Sequence, residues 1–438
     1  MKKQVQELQK TFPIKNISDV FAQGVFFIFK KMKHGKLTIH TRYDNRTFEF
    51  GNGDTSLVNA KIDVKDASFF KRLALHTDLG LAESYMDGEW ETDSIYNVIK
   101  FFILNLEETE VLSGSNGALS VPLKLMNIGS RIGHVLRENN LSNSRKNIVE
   151  HYDLSNKLYE EFLDPTMTYS SALFNSKEDT NLEQAQLNKY KRLCDQLQLN
   201  ENDILLEIGS GWGSLSIFAA ENYGCQVKTF TISDEQYRLA KKRISESKAA
   251  DLISIDLLDY RKIHDKYGKI FTKAISIEMV EAVGDKYMET YAKAIHDCLL
   301  PEGLFAIQAI TSPNSRYDEM KNSVDFIQKH IFPGSQLPSV HKLSDSFFKM
   351  GQFDIVNLHD FGNDYSKTLN LWQKKFNERY DTIEKLGFDQ RFKRKWNYYF
   401  SYCSAAFAMK NISVVQILFS KPNNPVLSVE STEYGSES

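Results

Sequence analysis

Between residues 203 and 311, five short apolar runs are separated by stretches of helical period, and this alternation limits the fold more than any other feature. The runs are DILLEIG (203–209), VKTFTIS (227–233), LISIDLLDY (252–260), KAISIEM (273–279) and LFAIQAIT (304–311). DEQYRLAKKRISE (234–246) and KYMETYAKAIHDCLL (286–300) are among the helical stretches between them. Such alternation predicts an α/β domain with a doubly wound, mostly parallel sheet, here over 151–420. Ligands of these sheets bind beyond the carboxyl ends of the strands, so the chemistry is expected there.

Upstream, residues 1–110 read as a small α+β unit. GKLTIHTRYDNRTFEFG (35–51) alternates apolar and polar residues around Asp44-Asn45, as a hairpin does. SFFKRLALHTDLGLAESYMDGEW (68–90) and SIYNVIKFFILNL (94–106) carry helical periods, and no catalytic constellation is visible in this unit. The segment 111–150 reads as a linker whose stretch 124–147 mixes apolar residues with Lys124, Arg131, Arg137, Arg145 and Lys146. Two readings are open for it, a basic amphipathic helix on an anionic membrane surface or a solvated helix packed on its own protein. Together with the N-terminal unit, it is expected either to dock the protein on a membrane or to pair two subunits. Residues 421–438 read as a polar tail.

Composition removes several classes. Lys and Arg total 54 against 57 Asp and Glu, a formal charge of -3, which argues against nucleic acid as a partner. No apolar run reaches the ~20 residues needed to cross a bilayer, and the first residues have no apolar signal core. The expected place is the cytoplasm. Cys194, Cys225, Cys298 and Cys403 form no CxxC pair, so no metal site is expected. The 29 Phe and 20 Tyr suit a large core or an apolar tunnel equally well.

The sharpest chemical signal is LLEIGSGWGSL (205–215), a buried strand that runs into Gly209-Ser210-Gly211-Trp212-Gly213 and then a helix. Glycines let the backbone turn tightly and let a ligand approach closely. The spacing is G-x-G-x-G, not the dinucleotide G-x-G-x-x-G, and Glu207 stands two residues before the first glycine. That pattern favours S-adenosylmethionine over a nicotinamide, with Glu207 near the cofactor's amino-acid end. An acidic ribose ligand is missing after the next strand, where Thr231-Ile232-Ser233-Asp234-Glu235-Gln236 follows. Ser233 reads as a helix cap with Asp234 and Glu235 in the first turn, which leaves Thr231 and Gln236 for polar contacts.

Several blocks resemble the cyclopropane-fatty-acyl-phospholipid synthases and the related mycolic acid methyltransferases. They include HYDLSNKLYEEFLDPTMTYSSALF (151–174), LLEIGSGWG (205–213), TISDEQ (231–236), DYR (259–261) and SIEMVEAVG (276–284). IQKHIFPGSQLPS (327–339), DFGNDYSKTL (360–369) and YCSAAF (402–407) complete the set. The resemblance implies that Tyr169 and Ser170 close over S-adenosylmethionine. It places Leu205 through Gly213 in the glycine turn, Thr231 to Gln236 (with Ile232 and Ser233) at the ribose, and Tyr260 and Arg261 beside the adenine. The implied substrate is an unsaturated acyl chain of a phospholipid membrane, with the protein peripheral on the inner face.

The same resemblance implies a bicarbonate ion, the base of the reaction, held by Ser171, Glu281, Gln308, Ile310 and Tyr365. This chain departs from the best-known members, which have Cys at the Ser171 position and His at that of Gln308. Without that base, the expected product is methyl-branched or methylene-bearing instead of a ring. Cys403 matches a cysteine once described as catalytic, yet it sits in an apolar helical pattern where free Cys commonly packs. His151 opens its block as a structural residue or a base. The rival classes are a methyltransferase of a small soluble substrate, a non-catalytic lipid-binding protein on the same fold, and a dehydrogenase.

Overall fold

The computed structural model describes residues 17–106 and 155–427. The basic stretch 124–147, His151 and the tail beyond 427 lie outside the described residues. Near the N-terminus, helix α1 (Ile17–Phe29) precedes the hairpin strands β1 (Lys36–Thr41) and β2 (Arg46–Gly51). Leu37 pairs with Phe50 and Ile39 with Phe48, and Asn45 turns the chain at φ +54°. Strand β3 (Asn59–Val64) lies parallel to β1, and β4 (Trp90–Glu91) closes the order β2-β1-β3-β4. Helix α2 (Ser68–Met86) stops short of the periodic stretch because Gly88, at φ +80°, turns the chain into β4. Helix α3 (Ile95–Leu104) is capped by Ser94, whose hydroxyl accepts from the Asn97 N–H at 3.1 Å.

The large sheet follows helices α4 (Asn156–Phe162) and α5 (Leu182–Gln196). Its strands are β5 (Ile204–Ile208), β6 (Gln226–Thr231), β7 (Ile253–Leu257), β8 (Phe271–Ile277), β9 (Leu299–Thr311), β10 (Asp354–Asp360) and β11 (Ser413–Ser420). They lie in the order β10-β11-β9-β8-β5-β6-β7. The five expected strands are the parallel ones, whereas β11 runs antiparallel to β9, and β10 antiparallel to β11. Strand β11 is an almost wholly buried run interrupted by Gln416, and β10 is a mostly exposed edge, so neither shows an alternating pattern. Helices α6 (Ser214–Tyr223), α7 (Asp234–Glu246), α8 (Met288–Cys298) and α9 (Val340–Gly351) flank the sheet. Strand order reverses between β5 and β8, which opens a crevice at their carboxyl ends.

Helices α10 (Gly362–Glu378) and α11 (Gln390–Ala408) roof that crevice and share one hydrophobic core with the N-terminal unit. Tyr398 of α11 packs on Tyr85 at 5.9 Å. Arg394 donates to the Trp90 carbonyl at 2.9 Å and to Glu91 at 3.0 Å, with its guanidinium over the Tyr85 ring. The N-terminal unit therefore braces the roof of the site from outside.

Candidate active site

Beneath that roof lies a cavity of about 350 Å³ whose floor is the end of the parallel sheet. One end is formed by the glycine turn after β5. Gly209, Gly211 and Gly213 take φ of +92°, +48° and +89°, values that a side chain strains to adopt. A Cβ on Gly211 would touch no protein atom, and this glycine lines the cavity. The Ser210 N–H donates to the Phe230 carbonyl at 2.9 Å and ties the turn to β6, while the Trp212 indole donates to Asn156 at 2.9 Å. Glu207 lines the same end, hydrogen-bonded by Ser216, and burial pushes its carboxyl up to about 7.

Around this end stand Tyr169, Ser170, Ser210, Trp212, Thr231, Ile232, Gln236, Tyr260 and Arg261, all on the cavity wall. Thr231 donates to the Gln236 side chain at 2.9 Å, and Arg261 holds Asp259 in a two-toothed pair at 2.8 and 2.6 Å. Three of the expected residues stand away from the cavity wall. Leu205 is buried in the core between sheet and helices, Gly213 faces Ala240 of α7, and Ser233 is a buried cap that accepts from the Gln236 N–H at 3.2 Å. None of the three lines the cavity, because inward and outward positions alternate along a strand and its turn. Asp259, which also lines it, is the acidic residue missing after β6; it follows β7 instead.

The other end gathers the residues assigned to bicarbonate. Glu281, Ile310 and Tyr365 line the cavity, but Ser171 and Gln308 are fully buried behind its wall. Between them and the cavity stands Glu278, a residue of the SIEMVEAVG block that the sequence reading left without a role. Its Oε1 accepts from the Ser171 backbone N–H at 2.9 Å and from Gln308 Nε2 at 2.8 Å, and its Oε2 accepts from the Tyr365 hydroxyl at 2.7 Å. The Ile310 N–H donates to Glu281 at 2.5 Å. The Ser171 hydroxyl turns away to the Ala172 carbonyl at 3.0 Å, so a change between Ser and Cys does not touch this network directly.

Two further residues complete it. Lys189, fully buried on α5, donates to Ser170 at 2.7 Å, and burial lowers its ammonium from the ordinary value against the pull of Glu278. Gln416 of β11 donates to the Gln308 carbonyl oxygen at 3.0 Å and so orients the Gln308 NH₂ towards Glu278. Glu281 is different: its Oε2 has no hydrogen-bond partner, and burial with the nearby Glu278 charge pushes its carboxyl up to about 8. Burial raises both carboxyl groups, three residues apart, but only Glu278 is surrounded by donors that draw it back. The signal for Glu278 was its place directly after a parallel strand, with a second Glu one turn on.

Aromatic rings close the remaining wall. Tyr169 donates to Tyr399 at 3.0 Å and packs on Trp372 at 5.2 Å, and Tyr365 stacks on Phe407 at 4.4 Å. Cys403 lines the cavity among these rings, and burial raises its thiol well above the usual value. The thiolate needed for a nucleophile is therefore disfavoured, which fits packing in the wall better than nucleophilic chemistry.

Comparison with known proteins decides the family. Residues 139–417 match the family model described as mycolic acid cyclopropane synthetase. The chain belongs to that family. It is an S-adenosylmethionine-dependent methyltransferase of the cyclopropane-fatty-acyl-phospholipid synthase type. It is 37% identical over 367 residues to the cyclopropane-fatty-acyl-phospholipid synthase of Escherichia coli, covering 83% of this chain and 88% of the relative. It is 36% identical over 363 residues to the tuberculostearic acid methyltransferase UfaA1 of Mycobacterium tuberculosis, covering 79% of each. Among solved structures, the cyclopropane synthase MmaA2 from Mycobacterium tuberculosis superposes with a TM-score of 0.58 at 26% identity, over 63% of this chain and 98% of the other. Family membership removes the dehydrogenase and the non-catalytic reading. At the positions that the resemblance gives to bicarbonate, four donors already have partners within the chain. Ser171, Gln308 and Tyr365 give their donors to Glu278, and Ile310 gives its own to Glu281.

Proposed function

We infer that this enzyme adds a methylene bridge across the cis double bond of unsaturated phospholipid acyl chains, at the membrane surface. The supporting observation is one continuous cavity that joins the glycine turn, the two carboxyl groups and the aromatic wall. The residues fit S-adenosylmethionine, because a positive-φ backbone cradle with no side chain at Gly211 leaves space beside Glu207, Gln236 and Asp259. Glu207 serves the amino-acid end, Thr231, Gln236 and Asp259 the ribose, and Tyr260, Arg261 and Ile232 the adenine. When bound, that cofactor supplies an electrophilic methyl group.

The remaining work falls to the chain. An alkene that gains a carbon leaves positive charge on the neighbouring carbon. The faces of Tyr169, Tyr365, Tyr399 and Phe407 stabilise that charge, and the buried wall keeps water from trapping it. A base must then take a proton so that the ring closes. The name of the Escherichia coli relative supports the ring. A relative of nearly equal identity, named a tuberculostearic acid methyltransferase, supports a second reading with a methyl-branched or methylene-bearing product.

Mass spectrometry of lipids from cells expressing the chain and fed methyl-deuterated methionine tests both readings. Retention of two deuterons per added carbon is expected, and chromatography against standards separates ring from methylene. Three retained deuterons would establish the methyl branch instead. No labelled lipid, with cofactor binding intact, would end the acyl-chain reading in favour of a small soluble substrate. Among the described residues no helix is long and apolar enough to cross a membrane. The membrane is therefore met from its surface in this reading, through Lys124, Arg131, Arg137, Arg145 and Lys146. Neutralising these five in the full chain should weaken flotation with anionic liposomes, and undiminished flotation would remove them from docking.

A further inference from the structure

Four donors at the positions that the resemblance assigns to an added anion already serve the chain's own carboxyl groups. Ser171 N–H, Gln308 Nε2 and the Tyr365 hydroxyl converge on Glu278 at 2.9, 2.8 and 2.7 Å, and the Ile310 N–H goes to Glu281. A free bicarbonate would have to compete with Glu278 for three of these donors and would lie beside its carboxyl group. The backbone shows that Glu278 is held there. Its φ of +47° is left-handed, a conformation that strains a residue with a side chain. Strain of this kind persists where the surroundings impose it, and it gathers at working sites. Behind the wall, Gln416 locks the Gln308 amide, and buried Lys189 supplies the opposite charge.

We propose that Glu278 is the base of this enzyme and stands where other members of the family hold bicarbonate. This rests on the acyl-chain reading above. The alkene π pair forms the bond to the incoming methyl carbon as that carbon's bond to the sulfonium sulfur breaks and leaves its pair on sulfur, and the adjacent acyl carbon becomes cationic. A C–H bond of the delivered carbon then breaks, its electron pair forms the third side of the ring, and the proton passes to a Glu278 oxygen. Glu278 lines the cavity directly, whereas Ser171, Gln308, Gln416 and Lys189 position it from behind. Burial raises the Glu278 carboxyl, while Lys189, Gln308 and Tyr365 pull it back, which leaves a better proton acceptor than an exposed carboxylate. Glu281, pushed up to about 8, keeps its own proton at neutral pH and is not the competing base.

The test uses the full-length enzyme and phosphatidylglycerol vesicles with oleoyl chains, in carbonate-free buffer and with bicarbonate added. Native turnover should differ by less than about twofold between the two buffers, since general-base catalysis carries about 10²–10⁴ of the rate. Glu278→Gln should bind S-adenosylhomocysteine like the native enzyme in calorimetry and lose about 100-fold or more in turnover. Glu278→Ala frees three donors, so added bicarbonate or formate should restore part of its activity, a response that a merely structural residue would not give. A native enzyme that stops when bicarbonate is removed overturns the proposal, as does near-native turnover in Glu278→Gln. Should the variants fail to bind the cofactor analogue, the carbonate response of the native enzyme decides alone. A native enzyme that labels no lipid even with bicarbonate present defeats the acyl-chain reading, a separate result.

Discussion

The cofactor end of the cavity is built around a backbone cradle from one short stretch, residues 207–213, whereas the network at the far end joins five separated segments. Glu207, Gly209, Ser210, Gly211 and Trp212 are neighbours in the sequence as well as on the wall. Ser171, Glu278, Gln308, Tyr365 and Gln416 meet only when the sheet and its roof assemble. A backbone cradle depends on φ angles that few residues tolerate, so its chemistry is fixed by where glycines occur. A side-chain network can exchange members and keep its geometry. Here a carboxyl group of the chain holds three of the donors that the resemblance gave to an added anion.

That contrast is broken most severely at Gly211. A β-branched residue at its φ of +48° strains the backbone and fills the space left for the cofactor. Gly211→Val should weaken S-adenosylhomocysteine binding by about 100-fold or more, from about 1–3 kcal/mol of strain plus the steric clash. Isothermal titration checks it, and native affinity would mean that side chains hold the cofactor. At the far end the single-residue effect is smaller, because the network shares its load. Tyr365→Phe removes one of three donors to Glu278 but keeps the ring on Phe407. Turnover should fall about tenfold, the worth of one hydrogen bond to a charged group. Unchanged affinity for the cofactor product would confirm that the two ends act separately.

How much could be read from the sequence follows the same division. The five parallel strands and the glycine turn were legible because each is a local pattern, a run of apolar residues or glycines at fixed spacing. Strands β10 and β11 were not, since β10 is an exposed edge and the apolar run of β11 is broken by Gln416 between Ser413 and Ser420. The resemblance brought Ser171, Gln308 and Tyr365 to one place and gave their donors to an added anion, whereas the fold turns them to Glu278. Glu278 stood in plain view in SIEMVEAVG, yet only its φ and its three donors single it out. Lys189 carried no signal in the sequence, because burial is a property of the assembled site.

Glu281 sharpens the comparison within the carboxyl end. With its value raised from 4.5 to about 8, the folded chain holds a proton that the unfolded chain releases across that window. The unfolded state then binds fewer protons, so the stability contributed by this group falls as pH rises from about 4.5 to about 8. Glu281→Gln copies the protonated acid and removes its share of that fall. Melting temperatures at pH 6 and 9 should therefore lie closer together in the variant than in the native chain. Turnover at neutral pH should stay within about threefold, less than the general-base effect expected at Glu278. An unchanged pH dependence of melting would mean that Glu281 is ionised in the fold.

The smallest effect is expected at Cys403, and it separates lining from chemistry. The thiol lies against Tyr399, Tyr402 and Tyr365 in the same wall, and burial raises it well above the usual value. A thiolate there would be costly, and no step of the proposed reaction asks for one, since the alkene is the nucleophile. Cys403→Ala removes a small apolar group and should keep turnover within about twofold, in line with a free cysteine that acts as packing. Alkylating the native thiol should inactivate all the same, because a bulky adduct occupies the cavity. Alanine fully active and alkylated cysteine inactive together assign the residue to shape. An inactive alanine variant that still binds the cofactor product would instead bring Cys403 into the chemistry, and the division between a backbone end and a carboxyl end would need a third part.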